Sequence, residues 1–293
     1  MITKEFGPEN HIHLIDGSGF IFRAYHALPP LTRSDGLPVG AVAGFCNMIY
    51  RMIEKNDAGN APTHLAVVFD HKGKTFRSEI YPKYKANRPP APEDLVPQFD
   101  LIKQATKAFS LPSIEVEGYE ADDIIASYAV QAQKLGATVT IVSSDKDLMQ
   151  LVGNGISMYD NMKNKIINHD EVVEKFGVKP EKVVDVQSLA GDSIDNVPGA
   201  PGIGIKTAAQ LINEFGDLNS LLERANEIKQ PKRRQTLIEN ASQIIISREL
   251  VTLKTDAPLP IPFIQLERKE LEPKILINFT NSMEFRTLTK RIS

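Results

Sequence analysis

Nine acidic residues of this 293-residue chain stand in tight groups: Asp16; Asp70; Glu120, Asp122 and Asp123; Asp145 and Asp147; and Asp192 and Asp195. Glu120 and Asp123 lie one helical turn apart at the head of an apolar run (Ile124, Ile125, Tyr128, Ala129), so they share a helix face. Acids in a first helical turn are also stabilised by the helix dipole alone. Asp145-Lys146-Asp147 follows an apolar run, and in extended backbone an Asp-x-Asp step turns both carboxylates to one side. Asp192 and Asp195 are again a turn apart, in the loop Gly191-Asp192-Ser193-Ile194-Asp195-Asn196. Carboxylates gathered this densely repel one another and retain protons unless cations neutralise them. An all-oxygen site suits Mg²⁺ or Mn²⁺ rather than zinc. Two such ions side by side form the clamp used for phosphodiester hydrolysis, one activating water and both stabilising charge on the phosphate.

Positioning these acids falls to the elements before them. His11–Asp16, His64–Asp70 and Thr138–Asp145 are apolar runs that each end in an acid. They are continuous rather than alternating, the pattern of parallel strands covered on both faces. Helical patterns at about 40–57, 95–109 and 121–135 are long enough to be the crossovers between them. The expected fold is α/β with a mostly parallel sheet, and ligands of such sheets bind beyond the carboxyl ends of the strands. One strand-ending Asp is usually a cap or a turn residue; three on three strands argue for a site. From about 180 onward the pattern becomes helices and turns: 181–190, a run to Phe215, 218–225, 232–252, a proline-extended stretch at 258–262, and a last helix at about 270–290.

The net charge of −3 hides an uneven distribution. With the nine acids set aside, 34 bases face 28 acids, which describes a basic body around an acidic pocket. Lys72, Lys74, Arg77, Lys83, Lys85 and Arg88 crowd one segment with Phe76, Tyr81 and Tyr84 interleaved, as in grips for single-stranded nucleic acid. Lys229, Lys232, Arg233 and Arg234 form a second basic cluster that reads equally well as a solvated helix face. Residues 197–208 form a glycine hairpin leading into a helix; Gly202, Gly204, Lys206 and Thr207 would let backbone N–H groups approach a phosphate. The hairpin is neither a Walker loop nor a dinucleotide fingerprint, because its Gly-to-Lys spacing and glycine count do not fit. A single Cys (Cys46, expected buried) excludes an internal disulfide or Cys-based zinc site. No run approaches the roughly 18 apolar residues of a membrane span, and the first residues lack the pattern of a signal peptide. A cytoplasmic protein is expected.

Gly118-Tyr119-Glu120-Ala121-Asp122-Asp123, Ser144-Asp145-Lys146-Asp147-Leu148, Gly191–Gly199 and Gly202–Ala208 resemble the 5′-nuclease domains of bacterial DNA polymerase I, members of the flap endonuclease family. Asp16-Gly17-Ser18, Val68-Phe69-Asp70, Phe76-Arg77 and Tyr84–Pro89 match as well, in order and at family spacing, from about residue 11 to at least 265. The resemblance implies a PIN-like catalytic domain (1–178), a helical DNA-binding region with the hairpin (179–265) and a C-terminal connection (266–293). It implies one ion held mainly by Asp16, Asp70, Glu120 and Asp122 with Asp123 close by, and another towards Asp145, Asp147, Asp192 and Asp195. It makes the segment 71–95 an arch for the 5′ end. Lys85 is then the first candidate to reach the scissile phosphate, followed by Arg77 and Arg88, with Lys74, Lys83 and Tyr84 among the DNA contacts. The hairpin would hold duplex backbone, with K⁺ as a companion ion. The implied protein is a monomeric, Mg²⁺-dependent 5′→3′ exonuclease and flap endonuclease acting on branched or nicked DNA, including RNA-primed ends, for primer removal and excision repair. It is expected to be the N-terminal part of a polymerase, with a stand-alone nuclease served by polymerase domains in trans as the other option. A non-cleaving junction-binding module and a ribonuclease on the same core are the alternatives. The complete carboxylate set speaks against the first, and the hairpin and basic segment against the second.

Overall fold

A computed structural model describes residues 6–56 and 61–293; the start read for a signal peptide lies almost wholly outside the described residues. The first region runs β1 (His11–Asp16), α1 (Gly17–Ala27), α2 (Gly40–Asn56), β2 (His64–Val68), α3 (Phe76–Ile80), α4 (Val96–Ala108), β3 (Ser113–Ile114), α5 (Ala121–Lys134), β4 (Thr138–Val142), β5 (Ile156–Asp160), β6 (Lys165–Ile167) and α6 (His169–Phe176). Then follow α7 (Val183–Ala190), α8 (Ile205–Phe215), α9 (Leu218–Glu223), α10 (Pro231–Glu239), α11 (Ala241–Val251), α12 (Pro273–Ser282) and α13 (Arg286–Ile292).

The strands form one sheet in the order β3-β2-β1-β4-β5-β6, parallel except for the β5–β6 hairpin at the edge. The chain builds outward from β1 to β2 and β3, then returns to place β4 on the other side. That reversal opens a crevice at the carboxyl end of β1. Both sheet faces are covered, which is why the strands read as unbroken apolar runs. Ile12, Leu14, Ala66 and Val68 pack with α5 and the helical region. Ile15, Leu65 and Val67 pack with α1, α2 and α4. Cys46 is fully buried in this second layer.

Three expectations need correction. The run 232–252 is two helices, α10 and α11, interrupted at Asn240. The stretch 270–290 is also two, α12 and α13, separated by a turn in which Glu284 has a positive φ of 63°. Nor is 266–293 only a connection: Leu276, Met283, Phe285 and Leu288 belong to the same buried layer as α2 and α4. The chain after α11 therefore returns to the first region, where Tyr128 Oη donates to the Ile261 carbonyl at 2.8 Å and Phe6 stacks on Phe263 with ring centroids 4.4 Å apart.

Candidate active site

Each acid is delivered by a specific local device. Asp16 is the last residue of β1 and the N-cap of α1, accepting from the Gly19 N–H at 2.7 Å through Oδ1 and from Ser143 Oγ at 2.8 Å through Oδ2. Asp70 lies two residues beyond β2 and accepts from the Ala121 N–H at 2.8 Å, which ties it to the start of α5. Glu120 is the N-cap of α5, so Asp122 enters in the first turn. Asp145 turns the chain after β4 by accepting from the Asp147 N–H at 2.9 Å. The loop after α7 carries Asp192, whose Oδ1 accepts from the N–H groups of Ile194 and Asp195 at 2.8 and 3.3 Å.

Eight of the nine acids line one cavity of about 160 Å³: Asp16, Asp70, Glu120, Asp122, Asp145, Asp147, Asp192 and Asp195. Lys85, Arg88, Arg77 and Tyr84 contribute to its wall. Burial raises the Asp16 carboxyl to about 6, with the charges of Asp145 and Asp70 adding to the rise. Asp147 also stands at about 6, from burial first and Asp145 next. Asp122 is pushed well up by burial and then by Asp145, Asp16, Asp70 and Asp147. Such a set of hard oxygen donors fits divalent cations of the Mg²⁺ type, which would remove the repulsion that raises these groups. Among the described residues no trio of ligating side chains is already drawn around one point; several acids are instead held by bases.

Lys85 Nζ lies 2.7 Å from Glu120 and 3.9 Å from Asp195. Burial opposes its charge, yet Glu120 and Asp195 outweigh that effect and hold the lysine protonated. Arg88 donates to Asp195 through Nε at 3.0 Å and through a second nitrogen. Lys146 pairs with Asp192; burial works against that carboxylate, but the ammonium and two N–H donors bring it below its usual range. The basic segment thus straps the two regions together. The Lys85 N–H donates to the Asp195 carbonyl at 2.9 Å, and Asn87 donates to the Ser193 carbonyl at 2.9 Å. Lys74 and Lys83 stand exposed along it.

Three expected site residues are engaged elsewhere. Asp123 is 0% exposed and does not reach the cavity; it forms a two-pronged pair with Arg77 at 2.6 and 2.8 Å. Arg77 is 1% exposed; it also reaches Glu120 at 3.4 Å, and its other donors go to the carbonyls of Leu250 and Thr252. Of the acids that line the cavity it meets Glu120, and the rest of its guanidinium joins α5 to α11. Tyr84 is buried as well, its hydroxyl donating to Glu120 at 3.1 Å, so it offers no free face for a nucleobase. In the hairpin, Ile203 is buried while Gly202, Gly204 and Lys206 are exposed and Thr207 is half-buried, so a backbone tip is presented on an apolar anchor.

Two side chains, one beside the cavity and one lining it, escaped the sequence reading. Arg23, seven residues after Asp16 on α1, donates to Ser144, and its other terminal nitrogen is buried without a hydrogen-bond partner among the described residues. Gln187, on α7, donates to Asp147. Helical spacing from Asp16 was a signal for Arg23; nothing local marked Gln187.

A parallel sheet that gathers carboxylates beyond its strand ends, followed by helices with a glycine hairpin, defines the PIN-like nucleases. Residues 11–177 match the 5′-3′ exonuclease N-terminal resolvase-like domain and residues 178–274 its C-terminal SAM fold; the chain belongs to the 5′-3′ exonuclease family. It is 59% identical to DNA polymerase I of Rhizobium leguminosarum across 97% of this chain, and spans 28% of that protein's length. It is 36% identical to the 5′-3′ exonuclease of Aquifex aeolicus, over 96% of this chain and 94% of that one. Among solved structures, T5 5′-exonuclease with bound zinc superposes with a TM-score of 0.70 at 22% identity, over 94% of this chain and 98% of that one. The catalytic core of Rad2 with a DNA substrate gives 0.61 at 16% identity, over 94% and 88%. These two show the shared fold.

Proposed function

We propose that the protein is a Mg²⁺-dependent, structure-specific 5′→3′ exonuclease and 5′-flap endonuclease, acting on nicked or branched DNA, RNA-primed ends included. Mn²⁺ is the expected substitute ion and K⁺ the companion of the glycine hairpin. The reading extends to a cytoplasmic role beside polymerase domains in the same or a separate chain. The observation that carries it is the cavity itself, in which eight carboxylates are roofed by a basic strap (Lys85 and Arg88) that a polyanion can engage. When bound, the divalent ions supply a nucleophile at neutral pH and neutralise charge on the phosphate. Asp16, Asp70, Glu120 and Asp122 would hold one ion, and Asp145, Asp147, Asp192 and Asp195 the other. Lys85, kept charged between Glu120 and Asp195, is the base best placed to meet phosphate charge as it develops. The exposed hairpin tip offers backbone N–H groups to the duplex at the head of α8.

Single-turnover cleavage of a 5′-labelled flap, with Mg²⁺ or with EDTA and beside an equivalent 3′ flap, tests the proposal. Mg²⁺-dependent cutting restricted to the 5′ flap is the expected result. Tight binding without cutting under any metal condition would overturn it in favour of a junction-binding module.

A further inference from the structure

Gln187 is 5% exposed and lies on the wall of the acidic cavity. Its amide nitrogen donates to Asp147 Oδ1 at 2.5 Å. With Asp147 ionised, that contact sets which way the amide faces, because a carboxylate can only accept. The amide oxygen is left buried without a hydrogen-bond partner among the described residues. An unpaired buried carbonyl carries a desolvation penalty that an apolar side chain of similar shape would avoid. Asp147 and the two acids whose charges act on it, Asp145 and Asp192, line the same cavity and are acceptors like the amide oxygen itself. The neighbouring ammonium of Lys146 is already engaged by Asp192. An acceptor set among acceptors is satisfied by a cation, or by water polarised by one.

We propose that Gln187 is a residue of the cation site: its amide oxygen serves a hydrated divalent ion beside Asp147, while its N–H aims the Asp147 carboxylate at that ion. This rests on the reading of the cavity as a Mg²⁺ site and extends it to a residue outside the acidic set. A neutral oxygen suits the position, since it adds a donor atom without adding repulsion to Asp145, Asp147 and Asp192. The role divides between the two ends of one amide, so variants can separate them.

The test is titration of the whole protein with Mn²⁺ alone, without DNA, counting bound ions by electron paramagnetic resonance. Gln187→Met, which removes both polar ends, should weaken Mn²⁺ binding by about 10-fold or more, the usual scale for groups that orient a metal ligand. Gln187→Glu, which keeps an oxygen there but loses the N–H to Asp147, should bind Mn²⁺ more tightly than Gln187→Met. An unchanged isotherm for Gln187→Met, or a loss in Gln187→Glu equal to that in Gln187→Met, would overturn the assignment. Should Gln187→Met fail to fold in EDTA, Gln187→Ala, which removes the same two polar ends with less bulk, takes its place with the same expected and overturning results. A parent protein that takes up no Mn²⁺ would sink the metal reading of the cavity itself, a result visible before any variant is made.

Discussion

The residues of the cavity divide by what their charges are spent against. Lys85 faces the acids across a partly open mouth, so its substitution should act on chemistry. Lys85→Met is expected to slow single-turnover flap cleavage by about 100- to 1000-fold, with a much smaller change in flap affinity; equal losses in both would make it a binding residue only. Arg77 and Asp123 are instead a buried pair, and removing one partner strands the other in the interior. Arg77→Ala or Asp123→Ala should each lower unfolding free energy by roughly 3–5 kcal/mol, and in a double-mutant cycle the combined variant should lose less than the sum. Urea denaturation measures both. Asp147, with its pKa raised from 3.8 to about 6, binds a proton more readily folded than unfolded. Its contribution to stability is therefore complete below its unfolded pKa and lost as pH rises through about 6. In EDTA, the stability of Asp147→Asn relative to the parent should grow between pH 4 and pH 7.5. A difference independent of pH would show that this carboxyl is not raised.

At the scale of elements, the turn after α7 holds Asp192 and Asp195 in place by close backbone contact. A Cβ on Gly199, whose φ is +60°, would come within 2.5 Å of the Gly191 nitrogen, whereas one on Gly204 would meet nothing within 4 Å. Gly199→Ala should therefore destabilise the fold by about 1–3 kcal/mol. Gly204→Ala should fold normally and weaken duplex binding, as measured by fluorescence anisotropy; unaltered binding would mean that no phosphate approaches that backbone. The same contrast shows what could be read in advance. Strand-ending acids and the hairpin are written within a few residues of one another, so local pattern was enough. The Asp-x-Asp step, expected to be extended, is a turn, with Lys146 helical and Asp147 opening a 3-10 helix. The pairing of Arg77 with Asp123, the sealing of Tyr84 and the reach of Gln187 to Asp147 join residues 36 to 46 positions apart. In sequence, a base that grips substrate and a base that binds its own protein are the same letter. Strands β3, β5 and β6 were missed: the two or three residues of β3 and β6 carry no period, and β5 alternates instead of forming an unbroken apolar run. The helix break at Asn240 was missed because the apolar pattern continues past it.

At the scale of the molecule, the C-terminal helices close the layer over α2 and α4. Leu276 is 0% exposed there. Leu276→Ala should lower stability by about 2–5 kcal/mol, seen as an earlier urea midpoint, while metal binding at the far end of the sheet is retained. A loss below 1 kcal/mol would mean that α12 is only loosely docked. The cavity itself is shared: six of its eight acids precede residue 178, and the last two belong to the loop after α7. Order of synthesis then matters. A growing chain displays the basic strap and the first six acids well before it has made Asp192 and Asp195. Until then Arg88 and Lys146 lack the carboxylates that engage them in the folded protein, and a quarter of the acids around the cavity are missing. The set becomes whole only when the loop after α7 closes on the first region.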